Sequence, residues 1–335
     1  MTAVKAETAP LPRRLPHAGP IKLNDPVVGV WLAAAALTVL SWIIVTASGG
    51  DFLTRATITG ILQNGVALGL VAVGQSAVIL TGSLDLSVAY LISIGTLVAA
   101  ETMENGSVLA AILAVLALCA GVGLTNGLIV TGLKVNAFIA TLGVGFILRG
   151  YIEDNYTGPT GKVPASFQHL GYDRIGPVPV SLFLLTAVAA AVWLITKRTR
   201  LGHHMYATGG DEHAARSSGI RTRRTIVAAH VLCSLCVGAA ALFLASRLGA
   251  GAPWAGTEAR YDLESIAAVV LGGTALAGGR GGVTGTLGGV LFLSVLDSLF
   301  NELSVDPFFK NVVRGVVIIA AVALYARRST RRQPA

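Results

Sequence analysis

The feature that most constrains the fold is a series of long apolar runs, the first of which, residues 27–46, carries no charged side chain. Nine more runs cover residues 58–80, 86–100, 107–131, 136–152, 177–196, 226–247, 263–278, 284–303 and 312–326. A helix needs about 20 mostly apolar residues to cross the hydrocarbon core of a bilayer. The runs therefore predict an all-α, polytopic membrane protein with about ten transmembrane helices.

The composition excludes the other broad classes. The chain is 53% hydrophobic and only 13% charged, whereas soluble domains carry about 25% charged residues. Disorder requires low hydrophobicity and high charge, and a membrane β-barrel requires strict alternation of polar and apolar residues, which the runs lack. The three cysteines, Cys119, Cys233 and Cys236, fall inside apolar runs, so we interpret them as packing residues and expect neither a metal site nor a disulfide framework.

The distribution of basic residues predicts the orientation. Lys and Arg are enriched in the cytoplasmic loops of membrane proteins, and they cluster here in the N-terminal tail, in residues 197–225 and in the C-terminal tail. We therefore expect a polar cytoplasmic tail over residues 1–26, a transmembrane domain over 27–326 and a basic cytoplasmic tail over 327–335. The net charge of +8 is then a signal of topology, and no nucleic-acid partner is expected.

The first apolar run has two readings. It is longer than the ~7–15 residues of a signal-peptide core, which favours a retained first span. Val45-Thr-Ala47 nevertheless looks faintly like a cleavage site, so removal of the run stays open.

Two hydrophilic loops are long enough to be organised. The external loop, residues 153–176, could bind an extracellular protein or simply connect two spans. In the internal loop, residues 197–225, Asp211 is a good N-cap, since its side chain can accept from the first amides of a helix. Glu212 places negative charge in the first turn, and Gly219 suits the left-handed stop of a helix. This predicts a short helix that enters a cleft on another protein, or alternatively lies on the membrane as a connector.

Four ordered motifs carry a family resemblance: Glu212-His-Ala-Ala with Gly219, and the stretches 82–88, 126–143 (continuing to 149–150) and 266–286. Together they resemble the ribose-type sugar permeases of ABC importers, within the branched-chain amino acid and sugar permease superfamily. The resemblance extends from about residue 60 to 325. The chain departs from the family pattern at Ser83-Leu84, at Ala89 and at Asp211, and these departures bear on the identity of the solute.

The resemblance implies the machinery around this chain. An extracytoplasmic binding protein would deliver the solute, two permease copies, identical or related, would form the path, and two ATPases would drive it from the cytoplasm of a bacterial inner membrane. ATP and magnesium would bind those partners, so the chain itself is expected to be no enzyme and to bind no cofactor or metal. The residues implied in ATPase coupling are Asp211, Glu212, Ala214, Ala215, Arg216 and Gly219. Consistent with this, the chain has no G-x-x-x-x-G-K-[ST] phosphate loop.

Polar residues within the apolar runs are candidates for the translocation path. Ser294, Asp297, Ser298 and Asn301 recur at helical spacing and form one stripe. Lipid would leave such groups without hydrogen-bond partners, so they face a cavity or other helices. The remaining candidates are Asn64, Gln75, Asp85 and Asn126.

Other readings of the chain remain. The same machinery could carry a signalling furanose, a nucleoside or a branched-chain amino acid. An ion-coupled carrier is less favoured because few ionisable residues lie within the spans. An intramembrane enzyme would need a base beside Ser76, and His230 on a different helix is the only histidine inside the apolar runs.

Weak internal similarity predicts a repeat. Residues 77–83 and 268–274 have similar sequences, and both end a span that heads inward, so the repeat would be parallel. Pairs of glycines four residues apart, such as Gly123/Gly127 and Gly285/Gly289, predict close helix packing inside the chain.

Overall fold

The computed structural model describes residues 26–176, 178–306, 308–310, 312–313 and 315–316. In these residues the helices are α1 Pro26–Ala47, α2 Arg55–Leu80, α3 Val88–Asn105, α4 Val108–Gly132, α5 Ala137–Asn155, α6 Ala165–Tyr172, α7 Val180–Arg198, α8 Arg200–Gly210, α9 Glu212–Ser217, α10 Thr222–Leu248, α11 Tyr261–Leu271 and α12 Val283–Glu302. Strands β1 Arg174–Ile175 and β2 Val178–Pro179 pair antiparallel. The prediction of an all-α membrane protein is confirmed.

The number of spans differs from the sequence-based count. Within the described residues, six helices are long and apolar enough to cross a membrane: α1, α2, α4, α7, α10 and α12. The count of ten is not confirmed. Helices α3 and α5 carry charged residues toward their ends, and the run at 312–326, like the tails 1–25 and 327–335, lies largely or wholly outside the described residues. Helix α11 has only 11 residues, about 16 Å of length.

Helices α2 and α10 form the centre of the bundle. Nearly all residues of α2 after Gly65 are buried, and buried residues occur on every side of α10. A helix that is apolar all round and buried belongs to the core of a large protein. Outer helices instead expose large apolar side chains, as Trp31 on α1 and Leu113 on α4 do, which is the pattern of a surface solvated by lipid.

The glycine pairs pack helices closely, as predicted. A Cβ on Gly123 of α4 would lie 2.7 Å from the carbonyl oxygen of His230 on α10. A Cβ on Gly289 of α12 would overlap the carbonyl oxygen of Ala268 on α11. Both contacts join helices of this chain, so the prediction of internal packing is confirmed.

Two helices of the bundle stop inside it and are followed by irregular segments. We name residues 81–87, between α2 and α3, the first break, and residues 272–282, between α11 and α12, the second break. Each begins with the same motif: Ser83 N donates to Val78 O at 3.3 Å, and Thr274 N donates to Val269 O at 3.2 Å. The preceding glycines, Gly82 and Gly273, have φ of +77° and +85°.

This shared geometry has a simple cause. A residue in the left-handed conformation turns the chain back, so its neighbours can satisfy the last carbonyls of the helix, and glycine adopts that conformation without strain. The two stops lie at matching positions of the similar segments 77–83 and 268–274. The same kind of stop also ends α1, α9 and α12, so the parallel repeat stays a prediction.

Candidate functional site

Helix α9 has the boundaries that the sequence predicted. The Asp211 side chain accepts from Ala214 N at 2.9 Å, which confirms it as the N-cap. The helix stops at Gly219, whose φ is +83°. Glu212 Oε1 accepts from Arg216 at 2.6 Å and from the Thr222 hydroxyl at 3.0 Å. Because Thr222 begins α10, the last contact ties α9 to the start of that long helix.

The two alanines of α9 point in different directions. Ala214 is exposed, whereas Ala215 is 5% exposed and packs toward the rest of the chain. Helix α9 contacts α8 and α10, so its Ala215 side is already covered. The surface that a partner protein can reach is therefore formed by Ala214 and its exposed neighbours Glu212, Arg216 and Gly219.

A buried polar network lies at the first break. Asp85 is fully buried, and its carboxylate accepts from the Ser87 hydroxyl at 2.6 Å and from the amide of Asn126 on α4 at 3.2 Å. His230 on α10 is fully buried as well. Its Nδ1 lies 3.4 Å from Asp85 Oδ2, and its Nε2 lies 2.9 Å from the Ser83 hydroxyl. We call Ser83, Asp85, Ser87, Asn126 and His230 the buried network.

Local sequence explains why the first break takes this shape. The Asp85 side chain accepts from the Ser87 backbone amide at 3.0 Å, a local bond by which an Asp competes with helix and holds a turn. The amide of Leu86 donates to the Thr141 hydroxyl on α5 at 3.0 Å. Buried backbone groups must be satisfied, and here the Thr141 side chain of α5 satisfies one, while Asn126 of α4 and His230 of α10 bond to the side chains of this irregular stretch.

Comparison with known proteins assigns the chain to a family. Residues 57–322 match the family described as "Branched-chain amino acid transport system / permease component". The chain belongs to this family. The match includes both breaks, the buried network and α9. No solved structure matches the chain significantly.

Individual permeases are similar to the chain over most of its length. The ribose import permease protein RbsC of Escherichia coli is 39% identical over 86% of this chain and 90% of its own. The protein of that name in Bacillus subtilis is 35% identical over 95% of this chain and 97% of its own. The D-allose transport system permease protein AlsC of E. coli is 33% identical over 82% and 84%.

The structure separates the predicted path residues of this permease into two groups. Gln75, Asp85 and Asn126 have 0% exposure, and they line the contacts of α2, the first break and α4 with α10. The stripe on α12 behaves differently: Ser294 is 5% exposed, Asp297 and Ser298 are half-buried, and Asn301 is exposed.

The α12 stripe meets α2 near its first turns. A Cβ on Gly65 would lie 3.0 Å from the Ser294 hydroxyl, so the stripe begins beside the predicted Asn64, which is exposed. Asn301 at the far end accepts from Lys310 Nζ at 2.7 Å. The stripe therefore changes from buried to accessible along one helix face, whereas Gln75, Asp85 and Asn126 are enclosed by protein.

Sequence reasoning missed part of the buried network. The sequence offers His230 only as a base for Ser76, whose hydroxyl instead donates to Val73 O at 2.7 Å, and it predicts no role for Ser83 or Ser87. The signal was an imidazole within the apolar run 226–247, where a polar group needs a buried partner. Among the described residues, no cluster of three His, Cys, Asp or Glu is arranged to hold a metal ion.

The loop over residues 153–176, which the sequence predicts to be external, is organised by hydrogen bonds to other parts of the chain. Thr160 N donates to Gly251 O at 2.9 Å, and Gly251 N returns a bond to Thr160 O at 2.8 Å. Burial and the Glu101 carboxylate raise the pKa of Tyr156 to about 12, so the phenol stays protonated and donates to Glu101 Oε2 at 3.2 Å. The loop thus packs against the ends of α3 and α10 that lie away from α9.

Proposed function

We propose that this chain is the membrane-spanning permease subunit of an ATP-driven ABC importer that takes up a small sugar. The observation that carries the proposal is the similarity, over most of the chain, to permeases named for ribose and allose. The family is also described by branched-chain amino acid transport, which makes such an amino acid the second candidate solute. The named relatives favour the sugar.

The proposed complex contains partners for delivery and for energy. An extracytoplasmic binding protein would supply the sugar, and a second permease copy would complete the path. ATPase subunits, which bind ATP and magnesium, would contact α9 from the cytoplasm. In the proposed orientation both termini are cytoplasmic, the chain spans the bacterial inner membrane, and α8 and α9 lie at its cytoplasmic side. Most basic residues then lie inside, as membrane insertion favours.

The geometry of α9 suits a mechanical contact. The Asp211 cap stabilises the short helix itself, and the bond from Thr222 to Glu212 attaches it to α10. Force on the exposed Ala214 side would therefore move the long helix rather than bend the loop. Helices this short are unstable alone in water, and α9 depends on these attachments. We assign ATPase coupling to Glu212, Ala214, Arg216 and Gly219 at the surface, and to Asp211 and Ala215 as supports.

The α12 stripe is the proposed wall of the sugar path. Its hydroxyl, carboxylate and amide groups can exchange hydrogen bonds with a hydroxylated solute, which loses its water shell on entering the bundle. Asn64 of α2 continues that surface. The enclosed candidates bond to protein in this conformation, Asn126 to Asp85 and Gln75 to Cys233 of α10, and they would act on the path through packing.

A substitution on the exposed side of α9 tests the coupling role. We expect Ala214→Trp to reduce co-purification of the ATPase and ATP-dependent ribose uptake by roughly tenfold, a usual size for the loss of a coupled contact. Membrane insertion should be unchanged, because position 214 is exposed. Ala214→Ser, which adds little volume, is the matched control and should behave as the unaltered chain. Normal uptake by Ala214→Trp would contradict the role of α9.

The composition of the native complex provides the broader test. Purification from the membrane with a tag on this chain should recover an ATPase and a sugar-binding protein. Uphill uptake by the purified chain alone, driven by an ion gradient, would instead establish a secondary carrier.

A further inference from the structure

His230 is a buried polar side chain that the proposed contact between α9 and the ATPase does not involve. It lies eight residues after the start of α10 at Thr222, about 12 Å along the helix, and it has no exposed surface. A polar ring in this position destabilises the bundle unless its nitrogens are hydrogen-bonded. Both nitrogens find partners, and both partners belong to the first break.

The two bonds of His230 form a bridge from α10 to the first break. Nε2 reaches the Ser83 hydroxyl at 2.9 Å, and Nδ1 reaches Asp85 at 3.4 Å. Helix α10 begins eight residues before His230, at Thr222. The Thr222 hydroxyl donates to Glu212 of α9 at 3.0 Å. One helix therefore carries both the attachment of α9 and the attachment of the segment between α2 and α3.

The other contacts of α10 near His230 include close glycine packing and one long side-chain hydrogen bond, from Cys233 Sγ to Gln75 Oε1 on α2 at 3.5 Å. A Cβ on Gly74 of α2 would lie 2.9 Å from the Cys233 carbonyl oxygen, and one on Gly123 of α4 would lie 2.7 Å from the His230 carbonyl oxygen. Glycine surfaces let helices approach without interlocking side chains. In this layer the His230 bridge is the polar connection between α10 and the first break.

The same layer contains polar atoms that this conformation leaves unsatisfied. Asn126 Oδ1, Gln75 Nε2 and Ser234 Oγ are buried and have no hydrogen-bond partner among the described residues. Ser234 is one turn beyond His230 on α10, and its hydroxyl lies against Gly123, one turn before Asn126 on α4. A buried polar group without a hydrogen-bond partner destabilises the protein. These three atoms lie beside the His230 bridge, so they offer new hydrogen-bond partners to its polar groups when α10 shifts.

We propose that His230 is a positioning residue that transmits displacement of α9 and α10 to the first break during transport. The proposal rests on the importer function and adds the route by which coupling reaches the membrane interior. Hydrogen bonds fail within about 1 Å of stretching. A shift of α10 must therefore either pull Ser83 and Asp85 with it or exchange their partners for the unsatisfied atoms of the layer.

The test uses the complete importer, with its ATPase and binding protein, in proteoliposomes with radiolabelled ribose. For His230→Leu we expect the ribose transported per ATP hydrolysed to fall roughly tenfold, while ATP hydrolysis itself stays within about twofold. His230→Gln keeps a side-chain amide that can hydrogen-bond with the Ser83 hydroxyl, and it should recover part of the lost ratio. A merely structural role would lower transport and hydrolysis together and leave their ratio unchanged.

Controls separate the possible failures. Thr225→Val removes another buried hydroxyl of α10, which donates to Arg221 O at 3.2 Å, and it should leave the ratio unaltered. If His230→Leu does not assemble, His230→Gln decides, and a ratio equal to that of the unaltered chain in whichever variant assembles overturns the proposal. Absence of ATP-dependent uptake by the unaltered importer, with ribose, galactose and allose each tried, would instead overturn the importer function itself.

Discussion

The first and second breaks stop their helices in the same way but are held in place by different means. At the first break, Asp85 and Ser83 bond to the side chains of Asn126 and His230. At the second, the backbone itself makes the contact: Gly279 N donates to Leu80 O at 3.0 Å, and a Cβ on Gly278 would lie 2.8 Å from the Gly209 Cα.

This difference teaches which segment can change its partners. Side-chain hydrogen bonds can be exchanged within one layer of polar groups, whereas a backbone packed on another backbone has no space in which to move. The second break is therefore expected to move as one body with the ends of α8 and α2 and with Gly82 at the start of the first break. The rest of the first break, residues 83–87, is expected to shift against α4 and α10.

The largest expected effect comes from filling the glycine contact of the second break. A methyl group at Gly209 would overlap the carbonyl oxygen of Leu80 and lie 2.6 Å from Gly279 N, whereas one at Gly210 would meet nothing within 4 Å. We expect Gly209→Ala to destabilise the protein by about 3 kcal/mol or more and Gly210→Ala to have little effect. Thermal unfolding in detergent measures both. Equal melting temperatures would show that the second break is not held by backbone packing.

A smaller effect is expected from removing the carboxylate of the first break. Asp85→Leu removes the partner of His230 Nδ1, whereas Asn126 Nδ2 keeps its bond to the Ser87 hydroxyl at 2.9 Å. One buried group left unsatisfied costs roughly 1–3 kcal/mol. The protein should nevertheless remain helical, because Leu fills the space. Circular dichroism and melting temperature measure this, with Asp85→Asn as the matched control that retains part of the bonding. A melting temperature that stays unchanged in Asp85→Leu would remove the distinction between the two breaks.

The smallest and sharpest comparison uses the equivalent positions 83 and 274. Ser83 contacts His230, and Thr274 Oγ1 accepts from Gly282 N at 3.2 Å inside the second break. Ser83→Ala and Thr274→Val each lose one buried bond, about 1 kcal/mol of stability. We expect only Ser83→Ala to reduce ribose transported per ATP, since only that bond joins two moving parts. Equal reductions in the two variants would mean that both breaks take part.

Much of the local structure could be predicted because its causes are local. Asp211 caps α9 since an Asp at that position satisfies a free amide, and Gly219 ends the helix since it tolerates positive φ. The similarity of residues 77–83 and 268–274 led to the repeated stop motif for the same reason. Helix α11 was predicted to continue to residue 278, but the stop at Gly272–Gly273 ends it at Leu271.

The site itself depended on contacts that a sequence does not display. His230 and Asp85 are 145 residues apart, and no periodicity along either helix predicts that they meet. Gln75, Asp85 and Asn126 were predicted as path residues from their polarity, yet polarity cannot tell a wet surface from a buried network. Similarly, Ala214 and Ala215 have equal helix propensity, and only the packing of α9 on α8 and α10 distinguishes the exposed one from the covered one.

The end of α10 that lies far from α9 is held by hydrogen bonds to the loop over residues 153–176. Tyr172 donates its hydroxyl to Arg247 O at 2.6 Å, and the Ser246 hydroxyl donates to Phe167 O at 2.9 Å. The helix has 27 residues, is about 40 Å long and is hydrogen-bonded to other segments at both ends. A binding protein on this loop and an ATPase on α9 would contact opposite ends of the same helix. Thermodynamic linkage then makes their effects mutual: if binding of one partner changes the affinity for the second, binding of the second changes the affinity for the first by the same free energy.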